Sequence, residues 1–213
     1  MWNIRKARSS KIWLLLQGAG LSFGAALFFW TAASIFPGMA LTLTLRAARL
    51  SDLSAVDLLL NRSYPRLLAA DYPPSVMVTA LPIIARARPE LLTSGRYYLA
   101  FGPEGQLLGA GGWSAAAPGP SDQPKATAGA AAVGHVRHLA TDPAALRQGV
   151  ARRVMQAVFD AALCAGVTQM DCLSTRTAVP FYGAIGFRAI GPVDVPLRAG
   201  IVFPAMRMIR AMT

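Results

Sequence analysis

The stretch "LRQGVARRVM", Leu146 to Met155, sets three arginines, a glycine and a small alanine at a helix start, directly after the extended run "GHVRHLATDP". A helix start offers N–H groups with no intrahelical partner and about half a positive charge. Gly149 lets backbone approach a ligand closely, and Ala151 blocks little of that approach. Arg147, Arg152 and Arg153 add full charges beside them. These residue types in this order suit an anion such as pyrophosphate. The plainer reading, a solvated basic helix start, stays open on these residues alone. The pattern is neither GxxxxGK[ST] nor GxGxxG, so a Walker A loop and a dinucleotide Rossmann site are both unsupported.

Other reactive side chains are few. The chain holds two histidines, His135 and His138, both in the same extended run. No third ligand type accompanies them, so no metal site is expected. Two cysteines, Cys164 and Cys172, stand outside any CxxC pattern and read as reduced thiols, with Cys164 expected to be buried within a helix. Tyr182 follows Phe181 in a short helical stretch. Neighbours on a helix lie about 100° apart, so one of the two can pack while the other faces a cleft.

These residues need elements to hold them. "ALTLTLRAA" (40–48) alternates at period two and reads as a strand. Ser51 or Asp52 can cap a helix through about Tyr64, and "PPSVMVTALPIIARA" is a second helical stretch broken by Pro82. "RYYLAF" and "LLGAGGWS" flank a Pro/Gly turn as a hairpin. Residues 115–132 lack periodicity and read as a loop. "VGHVRHLAT" (133–141) is a strand, followed by a helix from Gly149 that Gly166 stops. "TQMDCLS" is a strand and "TAVPFYGAI" a short helix capped by Thr175 or Thr177. "GFRAIG" and "GIVFPAMRMI" are closing strands. This order predicts an α/β (α+β) fold, a mixed sheet with helices on both faces.

Set in that order, "LRQGVA" resembles the acetyl-CoA-binding motif of the GNAT superfamily of N-acetyltransferases, R/Q-x-x-G-x-G/A, with Leu146 in place of the first Arg or Gln. Downstream, "TRTAVPFYGAIGF" is similar to the family's N-x-x-A-x-x-F-Y-x-x-x-G-F. Ala178, Phe181, Tyr182, Gly186 and Phe187 match, and Thr175 replaces the Asn. The resemblance covers roughly residues 40 to 210 and implies a GNAT-like acyl-CoA N-acyltransferase fold with acetyl-CoA as co-substrate and no metal. It implies that Leu139, Ala140 and Thr141 pair with the pantetheine arm beside a β-bulge. The turn backbone, Arg147, Gln148, Gly149, Val150, Ala151 and Arg152, would hold the pyrophosphate. Tyr182 would protonate the departing thiolate after direct attack by an amine. Some members carry a base four residues before the first pantetheine contact, which here is His135. An imidazole titrating near neutrality suits that task. His138, three residues along and on the opposite strand face, competes with it. The implied acceptor is a primary amine, on a small molecule or a peptide N-terminus. Leu146 keeps open a second reading, a non-catalytic acyl-CoA-binding sensor.

Composition bounds the rest. Of 213 residues, 54% are hydrophobic and 15% charged, too apolar for disorder. The net charge is +11, and four cations, Arg5, Lys6, Arg8 and Lys11, open the chain. No aromatic-studded basic stripe or zinc-finger spacing is present, so nucleic acid is not an expected partner. Residues 12–36 are uncharged and long enough to span a bilayer as a helix, and Gly38 and Ala40 fit a signal-peptidase site. The preceding cations would place the remainder outside the cytoplasm. Acetyl-CoA is a cytoplasmic metabolite, so a cytoplasmic domain is expected. Residues 1–38 are then an inverted anchor or an over-long start before Met39, leaving 40–213 as the catalytic domain. A homodimer is compatible with the sequence.

Overall fold

The structure is a computed structural model that describes residues 41–118 and 132–212. The candidate membrane segment, residues 12–36, and most of the 115–132 loop lie outside the described residues. Residues from Leu41 onward cluster as one compact unit.

Seven strands form one sheet in the order β1-β2-β3-β4-β5-β7-β6. They are β1 Thr44–Ala47, β2 Tyr97–Phe101, β3 Leu107–Ser114, β4 Val133–Thr141, β5 Gln169–Ser174, β6 Arg188–Arg198 and β7 Ile201–Ala211. Every pairing is antiparallel except β4 with β5. The helices are α1 Leu53–Leu68, α2 Pro74–Thr79, α3 Leu81–Ile84, α4 Pro89–Leu92, α5 Val150–Cys164 and α6 Val179–Ala184. The mixed sheet agrees with the expectation from element order.

Helices cover both faces. On one face, Val56, Leu59 and Leu60 of α1 pack with Tyr97, Leu99, Ala110 and Ala140. On the other, Met155, Val158 and Phe159 of α5 pack with Met170, Cys172, Tyr182 and Met208. α5 follows its 3.6 period: Val150, Val154, Met155, Val158 and Ala162 are buried along one stripe. α5 seats closely because β3 offers no side chain at Gly111. A Cβ there would lie 2.8 Å from Leu139 Cδ1 and 3.1 Å from Val154 Cγ1.

Several expectations change. β1 is confined to Thr44–Ala47. α1 continues past Tyr64 through Pro65 to Leu68. Proline removes one ladder bond at a cost of about 3 kcal/mol. That cost is offset where Leu68 buries against Tyr72, Ala80 and Phe203. Neither Thr175 nor Thr177 caps the helix before Tyr182; the Thr177 hydroxyl instead donates to Asp71 Oδ2 at 2.6 Å. Cys164 is exposed, not buried, because it closes α5 on the face away from the core stripe. Cys172 is buried on β5.

Candidate active site

β4 is regular to its middle and then parts from both neighbours. Its pairing with β5 runs only over Val133↔Gln169, Gly134↔Met170 and His135↔Asp171. Beyond that rung, among the described residues, no strand pairs with the β5-facing edge of β4, which includes Leu139, Ala140 and Thr141. Toward β3, the register jumps between Ala110↔Ala140 and Gly112↔Arg137, so His138 and Leu139 together oppose Gly111. This is a β-bulge, with His138 at φ 45. The bulge sets His138 and Leu139 against Gly111, while His135 stays on the regular part of the strand opposite Ser114. The charge of Arg137 acts on both imidazoles.

Two tyrosines hold the bulge. The Tyr97 hydroxyl donates to the His138 carbonyl at 2.9 Å, and the Tyr64 hydroxyl of α1 reaches the Leu139 carbonyl at 3.5 Å. Sequence reasoning missed both, since aromatic residues in a strand and a helix read equally well as core. Burial is the main reason that both phenols titrate above their ordinary value.

The turn after β4 is built from Asp142. Its carboxylate accepts from the Ala144 amide at 2.9 Å and pairs with Arg62 of α1 at 2.9 Å. The Asp-Pro pair was the available signal for this turn. Arg147 (φ 64) and Gly149 (φ 82) both take left-handed backbone, and no side chain caps α5. The first-turn amides of Val150, Ala151 and Arg152 therefore have no intrahelical partner. Gln148, Arg147 and Arg152 are exposed around them. A Cβ at Gly149 would meet nothing within 4 Å, so space for a ligand adjoins this turn. A cavity of about 480 Å³ lies on the α1 side of it, lined by Leu58, Leu59, Arg62, Asp142, Ala145 and Gln148. It shares no residue with the strand gap.

Tyr182 is the packed member of its pair, 5% exposed, and its ring meets Phe181 and Phe187 edge-on at 5.3 and 5.2 Å. Its hydroxyl interacts with the Cys172 thiol, which burial pushes up to about 12. Burial, then Cys172, raises Tyr182 well above the ordinary phenol value. Tyr64 adds a minor electrostatic effect on Tyr182, and Cys172 one on Tyr64.

His135 lies at the last paired rung, with Ser114 opposite it on β3 and Asp171 on β5. Burial lowers its pKa, Asp171 opposes that effect, and Arg137 and Arg207 add to it. His138 is pushed down to about 3, by burial first and then by Arg137 and Arg88. That shift keeps the His138 imidazole neutral near pH 7. Among the described residues no group of three or more His, Cys, Asp or Glu could hold a metal, and no helix is long and apolar enough to cross a membrane.

The arrangement thus combines a gap between two strands, an uncapped helix start directly after β4 and a buried, neutral phenol on α6. Comparison with known proteins bears on it. A family model described as "Acetyltransferase (GNAT) domain" matches residues 91–210. A GCN5-related N-acetyltransferase from Rhodopseudomonas palustris superposes with a TM-score of 0.63 at 17% identity, covering 82% of this chain and 99% of that one. The paia N-acetyltransferase of Thermoplasma acidophilum, in complex with coenzyme A, gives 0.57 at 12% identity, covering 80% and 99%. The ribosomal-protein-S18-alanine N-acetyltransferase of Escherichia coli gives 0.51 at 16%, covering 81% and 95%. No curated protein sequence matches the chain.

Proposed function

The chain belongs to the GNAT acetyltransferase family, and we propose that it moves an acetyl group from acetyl-CoA to a primary amine by direct attack. The observation that carries this reading is the gap between β4 and β5 beyond His135↔Asp171, with the uncapped α5 start beyond it. The gap fits an extended pantetheine arm, and the unpartnered amides fit a pyrophosphate. A structural neighbour solved with coenzyme A supports that choice of ligand.

Acetyl-CoA supplies an activated acyl carbon and a thiolate leaving group. The backbone of Leu139, Ala140 and Thr141 binds the arm as an added strand would. Arg147, Gln148, Gly149, Val150, Ala151 and Arg152 hold the phosphates with amides and charge. His135 takes the proton that the attacking amine must lose, directly or through water. The amine nitrogen bonds to the acyl carbon, the carbon–sulfur bond breaks, and Tyr182 gives its hydroxyl proton to the sulfur. Its raised pKa keeps that proton in place until then. No cysteine is acylated, in keeping with the high pKa of Cys172.

The acceptor is a small amine or a peptide N-terminus, and the domain works where acetyl-CoA is found, in the cytoplasm. Residues 40–213 are the catalytic domain. One observation favours a second reading: Tyr182 is only 5% exposed, which suits a binding module that performs no turnover. Release of free CoA thiol over many turnovers across an amine panel decides between them. Acetylation of any amine above the hydrolytic background establishes transfer. Tight acetyl-CoA binding with no acceptor across small amines and peptides establishes the sensor.

A further inference from the structure

The geometry points to Asp171 and Arg207 as positioning residues that set the proton affinity of His135 from opposite directions. This inference rests on His135 serving as the base in the function proposed above.

His135 and Asp171 are direct partners on the last rung before β4 and β5 separate. Adjacent strands lie about 4.8 Å apart, and parallel partners on one rung project to the same face. That face is the α1 side, since Val136, Met170 and Cys172, one residue away, all belong to the core under α5. Asp171 is 5% exposed. A carboxylate so buried is costly unless paired. Arg207 of β7, which shares that face, supplies the pair. Its Nε and Nη2 donate to Asp171 at 2.9 and 2.7 Å, and both bonds end on Oδ2. Among the described residues no hydrogen bond ends on Oδ1, so the carboxylate retains acceptor capacity for the imidazole one rung across. Arg207 itself is half exposed. The carboxylate therefore pairs directly with a guanidinium and has the histidine as its neighbour one rung across.

The arrangement has a sign. The charged groups acting on His135 are Asp171 from β5, Arg207 from β7 and Arg137 from its own strand, while its β3 partner Ser114 is neutral. Asp171 favours the imidazolium; Arg137 and Arg207 disfavour it. Arg207 also ties up Asp171, so it acts twice in the same direction. An imidazole balanced in this way accepts the amine's proton and then releases it, which a fully paired His–Asp couple would do less readily. The pair is joined across 36 positions of sequence, and nothing local in either strand announces it.

The test is an NMR titration of the full chain, with a pH profile of kcat/KM beside it. With two histidines in the chain, a His138 variant assigns the signals. Asp171→Asn should move the His135 pKa down, by about one unit or more, and the acid limb of kcat/KM should move with it. Arg207→Gln should move both up. Arg207→Lys, which keeps the charge, should hold the pKa closer to the parent than Arg207→Gln does. This guards against a merely packing-based effect. Shifts of Asp171→Asn and Arg207→Gln in the same direction, or no shift in either folded variant, overturn the proposal. Opposite NMR shifts without movement of the kinetic limb establish the coupling but overturn His135 as the base.

Discussion

Tyr182 carries the most chemistry per atom in this site. Its ring is held edge-on by Phe181 and Phe187, and burial with the nearby Cys172 keeps its hydroxyl neutral. Tyr182→Phe keeps every ring contact and removes only the proton donor. A general acid is typically worth about 10²–10⁴-fold, so kcat should fall by that order while acetyl-CoA affinity stays within a few-fold. Parallel loss in kcat and kcat/KM marks an interaction made in the transition state. Parent-level turnover by the variant would return Tyr182 to a packing role. His138 makes a different prediction. Its pKa is about 3 in the fold against 6.5 when unconstrained. The unfolded chain therefore binds more protons between those values, and stability falls as pH drops below 6.5. The slope is about 1.4 kcal/mol per pH unit for one such group. Urea denaturation from pH 7 to pH 4 should show that slope flattened in His138→Gln; an unchanged slope would mean that His138 protonates freely in the fold.

At the scale of elements, the site is a bulge, a turn and a gap. The turn was readable because its requirement is local: a glycine and arginines at a helix start. β4 was readable to its ends, residues 133–141, because alternation and flanking breakers delimit a strand. The bulge at His138 and Leu139 was not, since one extra residue leaves composition unchanged and only the partner strand reveals it. The Tyr97 and Tyr64 bonds to its carbonyls span 41 and 75 positions, beyond any periodicity. The Pro65 continuation of α1 was hidden because its compensation comes from Phe203 of β7 and from Tyr72 and Ala80, which flank α2. Tyr97→Phe tests the bulge. It leaves the His138 carbonyl buried without that donor, a loss typically worth about 1–3 kcal/mol. Acetyl-CoA affinity should weaken several-fold if the bulge shapes the binding edge, with an unchanged Kd in a folded variant arguing against it. Gly149→Asp tests the turn. It forces φ 82 on a residue with a side chain and adds a negative charge beside the amides. Calorimetry should show acetyl-CoA binding reduced at least tenfold, and unchanged affinity would remove the phosphates from this turn.

At the scale of the molecule, the described sheet and its core are built from residues after Ala40. The sheet's first edge is β1, which starts at Thr44 and pairs with β2 from Thr44↔Phe101 to Ala47↔Tyr98. Leu41, Leu43 and Leu45 pack with Ala100, Leu108, Val150 and Val154, beneath the α5 start that is proposed to hold phosphate. A chain beginning at Met39 keeps all of these leucines. It loses four of the 21 cations and the uncharged stretch of residues 12–36, whose exposure in water would favour association. The expected outcome is a monodisperse, folded protein with the acetyl-CoA affinity of the full chain. A chain beginning at Thr44 provides the contrast, since it removes Leu41 and Leu43 from the packing around Val150. Each buried leucine is worth about 1.5–3 kcal/mol when fully buried, and these two are partly so. The shorter chain should therefore lose several degrees in Tm and some affinity for acetyl-CoA, while the Met39 chain loses neither. Thermal unfolding with and without acetyl-CoA reads both. Aggregation of the Met39 chain alongside cofactor binding by the detergent-extracted full chain would show that residues 1–38 help to build the domain.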